Sequence, residues 1–274
     1  MLRHSIVVLG AFTLAALPAG AQRASEGTNP PGFRTLFTVD SAQVPNLNVS
    51  PDGKWVLFTR TGARPTSSLW MAAVADPKPF RLTSDGYIDR WPTLSPTGDR
   101  VFFVSNRPNR DSRSTAKFVM SLPIDKATGR PAGRVQQVTT DSVELMPPFG
   151  FSPDGKWLAY TVAGEQPALR LVSTTGGNAR TLATKFTWAS GLSNITFSAD
   201  GQRVVFQDSL SFMLREVSVT GGAVTTLYRT AKGETVTPAP YRDDRYVVHD
   251  LSTGRAELLD RNGRSLGVAL MPPG

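Results

Sequence analysis

The sequence predicts an all-β chain folded as a β-propeller of four-stranded antiparallel blades. Three observations predict it. One turn phrase recurs four times, at Ser50-Pro51-Asp52-Gly53, Ser95-Pro96-Thr97-Gly98, Ser152-Pro153-Asp154-Gly155 and Ser198-Ala199-Asp200-Gly201. The copies lie 45, 57 and 46 residues apart from glycine to glycine. A short run that is apolar on both faces follows each copy, and a repeat of about 40–45 residues is the length of a propeller blade.

The turn phrase has a physical task. Proline presets φ at the second turn position, aspartate bonds its own backbone two residues on, and glycine accepts the positive φ that closes a tight hairpin. Asp52, Asp154 and Asp200 therefore read as turn residues, as do Gly53, Gly98, Gly155 and Gly201. Thr97 and Ala199 mark positions where weaker turn formers are tolerated, whereas all four copies keep glycine. A fifth, degraded copy fits at Arg242-Asp243-Asp244-Arg245, with the strand Tyr246 to His249 behind it.

The strands follow in order. Trp55 to Phe58, Val101 to Val104, Trp157 to Tyr160 and Val204 to Phe206 each follow a turn. Continuous apolar runs of this kind imply packing on both faces, as when blades stack around a ring. Each unit then supplies two more strands: Leu69 to Val74 and Phe80 to Leu82, Phe118 to Pro123 and Val135 to Val138, and Leu169 to Ser173 and Arg180 to Ala183. Met213 to Val219 with Ala223 to Tyr228, and Ala256 to Leu259 with Ser265 to Leu270, continue the series. Thr175-Gly176-Gly177-Asn178, Thr220-Gly221-Gly222 and Arg261-Asn262-Gly263 supply the hairpins between third and fourth strands. Counting the strand ahead of each turn, a unit has four strands and five units are recognisable. Phe33 to Val39 is left over ahead of the first unit and is available to help close the ring, with either five or six blades.

Residues 1–21 read as a secretory signal: Arg3, the apolar run Ile6 to Leu17, then Ala19-Gly20-Ala21 as the cleavage site. The run is roughly half of the ~20 residues a spanning helix needs, so no membrane span is expected. Residues 22–32 read as a linker and 33–274 as one propeller domain. The expected location is periplasmic or secreted. With no cysteine there are no disulfides, and the core must hold the fold. The net charge of +8 favours acidic partners such as anionic envelope surfaces. Nucleic acid is not expected as a partner, because the basic residues are scattered and not gathered into a stripe with interleaved aromatics. The densest basic stretch, Arg107, Arg110, Arg113 and Lys117, reads as a solvated loop.

The segment Asn46 to Thr59, which carries N-x-x-x-S-P-D-G-K-W-x-x-x-x-T, and its echo at Phe151 to Tyr160 resemble the propeller repeat of the periplasmic protein family TolB. Arg81-Leu82-Thr83 and Val104-Ser105-Asn106-Arg107 are similar to TolB-like repeats as well. The resemblance spans nearly the whole mature chain and implies a propeller that binds proteins in the cell envelope. TolB carries an α/β domain before its propeller, and about ten residues separate the expected cleavage site from Phe33, so the chain is TolB-like without that domain. The same repeat builds the propeller of prolyl-oligopeptidase-type serine peptidases, a second reading. Those enzymes need a hydrolase domain and a G-x-S-x-G elbow. Gly150-Phe151-Ser152-Pro153-Asp154 comes near, with Asp154 in place of the second glycine.

The chemistry-bearing residues are sparse. His249 is the one histidine beyond the signal segment and sits in an expected strand, without a serine turn motif to pair with. No cofactor and no metal are expected. A glycosidase needs only two carboxylates about 5–9 Å apart, which leaves a carbohydrate-binding or carbohydrate-cleaving propeller as a third reading. Asp89 and Glu144, each ahead of a blade's first strand, are the best placed for it, and each reads more simply as a solvated loop carboxylate. Binding residues are expected among large or basic side chains near the loops: Arg90, Trp91, Arg107, Arg110, Trp188 and Tyr241. For Trp91 and Trp188 the alternative is packing against adjacent blades. The chain is thus expected to be a monomeric, non-catalytic scaffold for envelope protein partners.

Overall fold

A computed structural model describes residues 3–7, 35–40, 47–61, 66–84, 86–107, 117–142, 149–162, 168–184, 195–208, 213–229, 234–238, 245–250, 255–262 and 264–270. Strands β1 (Arg3–Val7) and β2 (Thr35–Asp40) pair antiparallel as a separate two-stranded sheet. β2 corresponds to the extra strand expected ahead of the first unit. Five four-stranded sheets follow, each a simple antiparallel meander in chain order. The first holds β3 (Leu47–Val49), β4 (Trp55–Thr61), β5 (Ser67–Ala73) and β6 (Phe80–Arg81). The second holds β7 (Asp89–Leu94), β8 (Arg100–Ser105), β9 (Phe118–Pro123) and β10 (Gln136–Gln137). The third is β11 (Phe149–Phe151), β12 (Trp157–Val162), β13 (Ala168–Ser173) and β14 (Arg180–Thr184). The fourth is β15 (Ile195–Phe197), β16 (Arg203–Asp208), β17 (Met213–Ser218) and β18 (Thr225–Arg229). The fifth, built on the degraded repeat, is β19 (Glu234–Pro238), β20 (Tyr246–Asp250), β21 (Arg255–Leu259) and β22 (Ser265–Leu270). His249 lies in β20, as its pattern predicts. Among the described residues no helix is long and apolar enough to cross a membrane.

The turn phrase is a small hydrogen-bonded machine. The buried Ser50 hydroxyl donates to Asp52 Oδ1 at 2.6 Å, while the Trp55 amide donates to Ser50 Oγ at 2.9 Å. The Lys54 amide donates to Asp52 Oδ1 at 3.1 Å, the bond to a backbone group two residues on that the sequence predicts. Ser152 with Asp154 and Ser198 with Asp200 repeat the pattern. Gly53, Gly98, Gly155 and Gly201 all sit near φ +70°. The serine bond is the leading cause that holds Asp52, Asp154 and Asp200 below the usual carboxylate range. In the second copy, Thr97 stands where the others have aspartate, and the carboxylate moves to Asp99, which accepts from Ser95 at 2.9 Å and Thr97 at 2.6 Å.

The apolar runs are buried on both faces, and neighbouring residues feed different cores. Leu57, Leu69 and Met71 join Val101, Phe103, Met120 and Leu122 in one cluster between the first and second sheets. Phe102, Val104 and Val119 turn the other way and meet Leu158, Tyr160 and Val172 of the third. Ala159, Leu169 and Leu171 meet Val204, Phe206 and Val217 of the fourth, and Val205 and Leu214 meet Tyr246 and Leu259 of the fifth. Four successive clusters therefore stack five sheets as blades. That is propeller architecture, in which each blade buries its apolar faces against its neighbours.

Gly150 shows how closely the blades approach. It is buried in β11, and a Cβ there would lie 2.6 Å from the Ile195 carbonyl oxygen and 3.1 Å from Thr196 Cα in β15. The obstacle is backbone, which cannot swing aside like a flexible side chain. Gly150→Ala is expected to destabilise the fold by about 1–3 kcal/mol through overpacking. Urea denaturation checks this, and an unchanged midpoint would show that these first strands are not in contact.

Candidate interaction face

The meander topology sorts the connections. The serine–aspartate hairpins between β3 and β4, β7 and β8, β11 and β12, and β15 and β16 lie at one end of the blades. The hairpins joining third to fourth strands lie at that same end. Connections from second to third strands, and from blade to blade, lie at the opposite end. Three arginine–aspartate pairs lie there, at what we call the loop end, while Arg203 and Glu216 pair toward the hairpin end.

Asp89 opens β7 and has 0% of its surface exposed. Its Oδ1 accepts from Ser105 Oγ at 2.7 Å and from an Arg107 terminal nitrogen at 2.6 Å. The Arg107 guanidinium lies 4.0 Å from the centre of the Tyr87 ring and 5.6 Å from that of Phe103. Ser67 of the first blade reaches across: its hydroxyl donates to the Asp89 carbonyl at 2.8 Å and its amide to the Tyr87 carbonyl at 2.9 Å. The Asn106 side chain accepts from the Ile88 amide at 2.8 Å. Burial pushes the Asp89 carboxyl above the usual range, against the opposing pull of Arg107 and then Ser105. Thr83 also pulls the Asp89 carboxyl downward, while Oδ2 has no hydrogen-bond partner among the described residues. The Thr83 hydroxyl oxygen accepts from the Leu69 amide at 3.0 Å.

Two further pairs occupy the third and fourth blades. Asp141 Oδ2 accepts from Tyr160 at 2.7 Å and from Arg170 at 3.1 Å, so the second blade's exit segment is tied to β12 and β13. Burial, then the bond to Asp141, pushes the Tyr160 hydroxyl well above its ordinary value. Asp208 Oδ2 accepts from Arg215 at 3.1 Å across β16 and β17. Side chains held this way are preorganised, which suits recognition of a partner with little ordering cost.

Several expectations are corrected here. Asp89 is not a solvated carboxylate, because the first strand of the second blade begins at this residue and draws it under the Arg107 and Tyr87 side chains. Nor are Arg107 and Lys117 a solvated run: Arg107 is consumed by the ion pair, and Lys117 is buried where β9 begins. Arg90 and Trp91 lie within β7 and not in a loop before it. Their strand takes a bulge between Arg90 and Thr93, with Trp91 at φ +54°, a left-handed conformation uncommon for a bulky residue. The bulge turns Trp91 onto the cluster between the second and third blades, the packing alternative. Arg90 is half-buried in the same strand. Arg110, Arg113, Glu144, Trp188 and Tyr241 lie outside the described residues.

The sequence reading missed Asp141, Tyr160, Arg170, Asp208 and Arg215 as a set. A signal was present. Arg170 and Arg215 each interrupt an apolar third strand and stand opposite Tyr160 and Phe206, the corresponding residues of their second strands. An arginine inside such a run calls for a buried acid, because an unpaired buried charge is costly.

No family model matches the chain. An uncharacterized protein of Agrobacterium fabrum is 36% identical over 76 residues, a stretch that is 27% of this chain and 25% of that protein. A chain in the crystal structure of a nidogen/laminin complex is similar over 86% of this chain and 83% of its own, with a TM-score of 0.62 and 14% identity. Putative TolB from Agrobacterium tumefaciens is similar over 87% and 85%, with a TM-score of 0.58 and 21% identity. Prolyl oligopeptidase B from Galerina marginata is similar over 84% of this chain but 35% of its own, with a TM-score of 0.58 and 13% identity. At these identities the likenesses show a fold: a TolB-like β-propeller.

Proposed function

We propose that the chain is a non-catalytic scaffold of the periplasm or extracellular space, which binds envelope proteins through the loop end of its propeller. The observation that supports this reading is that an arginine–aspartate pair ties the loop end of each of three successive blades, Asp89 with Arg107, Asp141 with Arg170 and Asp208 with Arg215. They fix the blade exits from which the connecting loops spring, and loops on a rigid scaffold are where binding function concentrates. The resemblance of the repeat to TolB points to the same class of work. Secretion rests on the signal layout of residues 1–21, whose removal would also take β1 away from β2.

The test is capture from an envelope extract with the tagged full chain, at moderate salt, which suppresses casual binding to a basic protein. One saturable protein partner is expected, and Arg110→Glu, in the segment between β8 and β9, is expected to weaken its capture. Absence of any saturable protein would overturn the scaffold reading. The second reading, a regulatory propeller of a serine peptidase, is favoured by the shared fold of prolyl oligopeptidase B, of whose length this chain matches about a third. A reading frame that continues into a hydrolase domain would establish it.

A further inference from the structure

The first and third blades share one turn, yet the tryptophan that follows it is covered in one blade and open in the other. Ser50-Pro51-Asp52-Gly53-Lys54-Trp55 and Ser152-Pro153-Asp154-Gly155-Lys156-Trp157 are the same run of residue types. Trp55 opens β4 and Trp157 opens β12, both at the hairpin end. Trp55 is half-buried, whereas Trp157 keeps 39% of its surface exposed. A second large side chain stands beside each indole, at the start of the fourth strand. Phe80 is opposite Met71, which is opposite Leu57, and Arg180 is opposite Leu171, which is opposite Ala159. Phe80 and Arg180 therefore hold equivalent places. The Phe80 ring meets Trp55 edge-on with centroids 6.3 Å apart, and the Arg180 guanidinium lies 5.3 Å from the centre of the Trp157 ring.

The cover of Trp55 comes from the next blade. The connection between β9 and β10 spans 12 residues, 124–135, and part of it folds on itself. The Gly129 amide donates to the Asp125 carbonyl at 2.8 Å, and Asp125 Oδ1 accepts from the Ala127 and Thr128 amides. This lays Gly129 against Trp55, where a Cβ would fall 2.9 Å from ring atoms Cη2 and Cζ3. Glycine alone lets the backbone approach so closely. Arg130, the next residue, sets its guanidinium 4.5 Å from the centre of the Phe80 ring. Trp157 shares the side of Ala159, which faces the fourth blade. There the connection between β17 and β18 spans 6 residues, 219–224, and a Cβ at Gly221 or Gly222 would meet no atom within 4 Å. The short turn does not reach the indole, and Trp157 stays open.

We propose that Trp157 and Arg180 form a docking platform for a turn of another polypeptide, one in which glycine is followed by an acidic residue. The first blade supplies the template within the same molecule: glycine rests against the indole, and the residue after it reaches the second side chain. Where that side chain is Phe80, the follower is a cation. Where it is Arg180, the complementary follower is a carboxylate, which a guanidinium binds by charge-assisted hydrogen bonds. Tryptophan and arginine are also residue types enriched in interface hot spots. The platform lies at the opposite end of the blades from the loop end, so it stands or falls separately from the scaffold reading.

The probes are two cyclic peptides built on the Asp125–Arg130 turn, one ending in Gly-Glu and the other in Gly-Arg. Each is titrated into the full chain with isotope-labelled tryptophan, and NMR follows the indole N–H signals. The signal of Trp157 is the one that Trp157→Phe removes. A saturable shift of that signal is expected, with the Gly-Glu peptide binding about threefold tighter than the Gly-Arg peptide, the scale of an exposed ion pair. Arg180 is exposed, so Arg180→Glu should leave the thermal midpoint unchanged and reverse the order of the two peptides. Arg180→Gln should abolish the preference. A neutral oligosaccharide forms a third arm, because an open indole can also stack on a sugar ring. No saturable shift of Trp157 with either peptide, a shift with the sugar alone, or a preference that both Arg180 variants leave unchanged overturns the proposal.

Discussion

Arg107→Met is expected to destabilise the chain by about 3–5 kcal/mol, the usual effect of removing one partner from a buried ion pair. The geometry supports a value in that range: Asp89 has no exposed surface, and the Arg107 side chain is 12% exposed. Removing the guanidinium leaves a buried carboxylate with Ser105 as its remaining bonded partner. The double variant Asp89→Asn with Arg107→Met should recover much of the loss, because an uncharged amide is cheaper to bury than an orphaned carboxylate. Denaturant unfolding of the four proteins of the cycle measures the coupling directly.

The pH dependence of that variant has a defined sign. The Asp89 carboxyl is raised in the folded state, chiefly by burial and against the pull of Arg107. A raised carboxyl contributes its full stability below the unfolded value of about 4 and loses it as pH rises through the folded value. Without Arg107 the folded value rises further, so the loss continues to higher pH. The gap between wild type and Arg107→Met should therefore widen from acid to neutral pH. A gap that stays flat would mean that Asp89 is solvated after all. The hairpin aspartates Asp52, Asp154 and Asp200 act oppositely, since lowered carboxyls contribute stability above about 4 and lose it as pH falls. Comparing variants at each pH cancels that background.

What was legible in the sequence, and what was not, follows from the range of the interactions. Turns and strands are local: the S-P-D-G phrase fixes its hairpin through groups within five residues, as the Ser50 bonds show. The expected strands accordingly match the observed ones to within a few residues, and even the degraded repeat folds as a blade. The role of the serine escaped notice because glycine and aspartate already explain the turn. Charged pairs at the loop end are not local. Asp141 and Arg170 are 29 residues apart, and Asp89 and Arg107 are 18 apart. Nothing in a single strand's pattern says which acid an arginine will meet. Trp91 misled for another reason: a bulge flips the side-chain alternation that a regular strand would keep, and no residue type announces it before the register is known.

The stacking of blades makes a second large prediction. Phe102 and Phe103 are adjacent in β8 and fully buried, yet Phe103 packs toward the first blade and Phe102 toward the third. Phe102 also sets its ring 4.7 Å, centroid to centroid, from that of Phe151. In a sheet with one wet face, one of two successive residues would be exposed, and truncating it would cost little. Here Phe102→Ala and Phe103→Ala are each expected to destabilise by about 3–5 kcal/mol, through lost burial and the cavity left behind. Their effects should also differ in kind. Phe102→Ala couples to Phe151→Ala, because those rings touch, whereas the milder Phe102→Leu and Phe103→Leu should add to within about 0.5 kcal/mol, because the two side chains share no core. Equilibrium unfolding of the single and paired variants decides the point. Two large penalties would mean that the second blade is clamped on both sides, which a propeller requires of every interior blade; one small penalty would remove an interface and with it the ring.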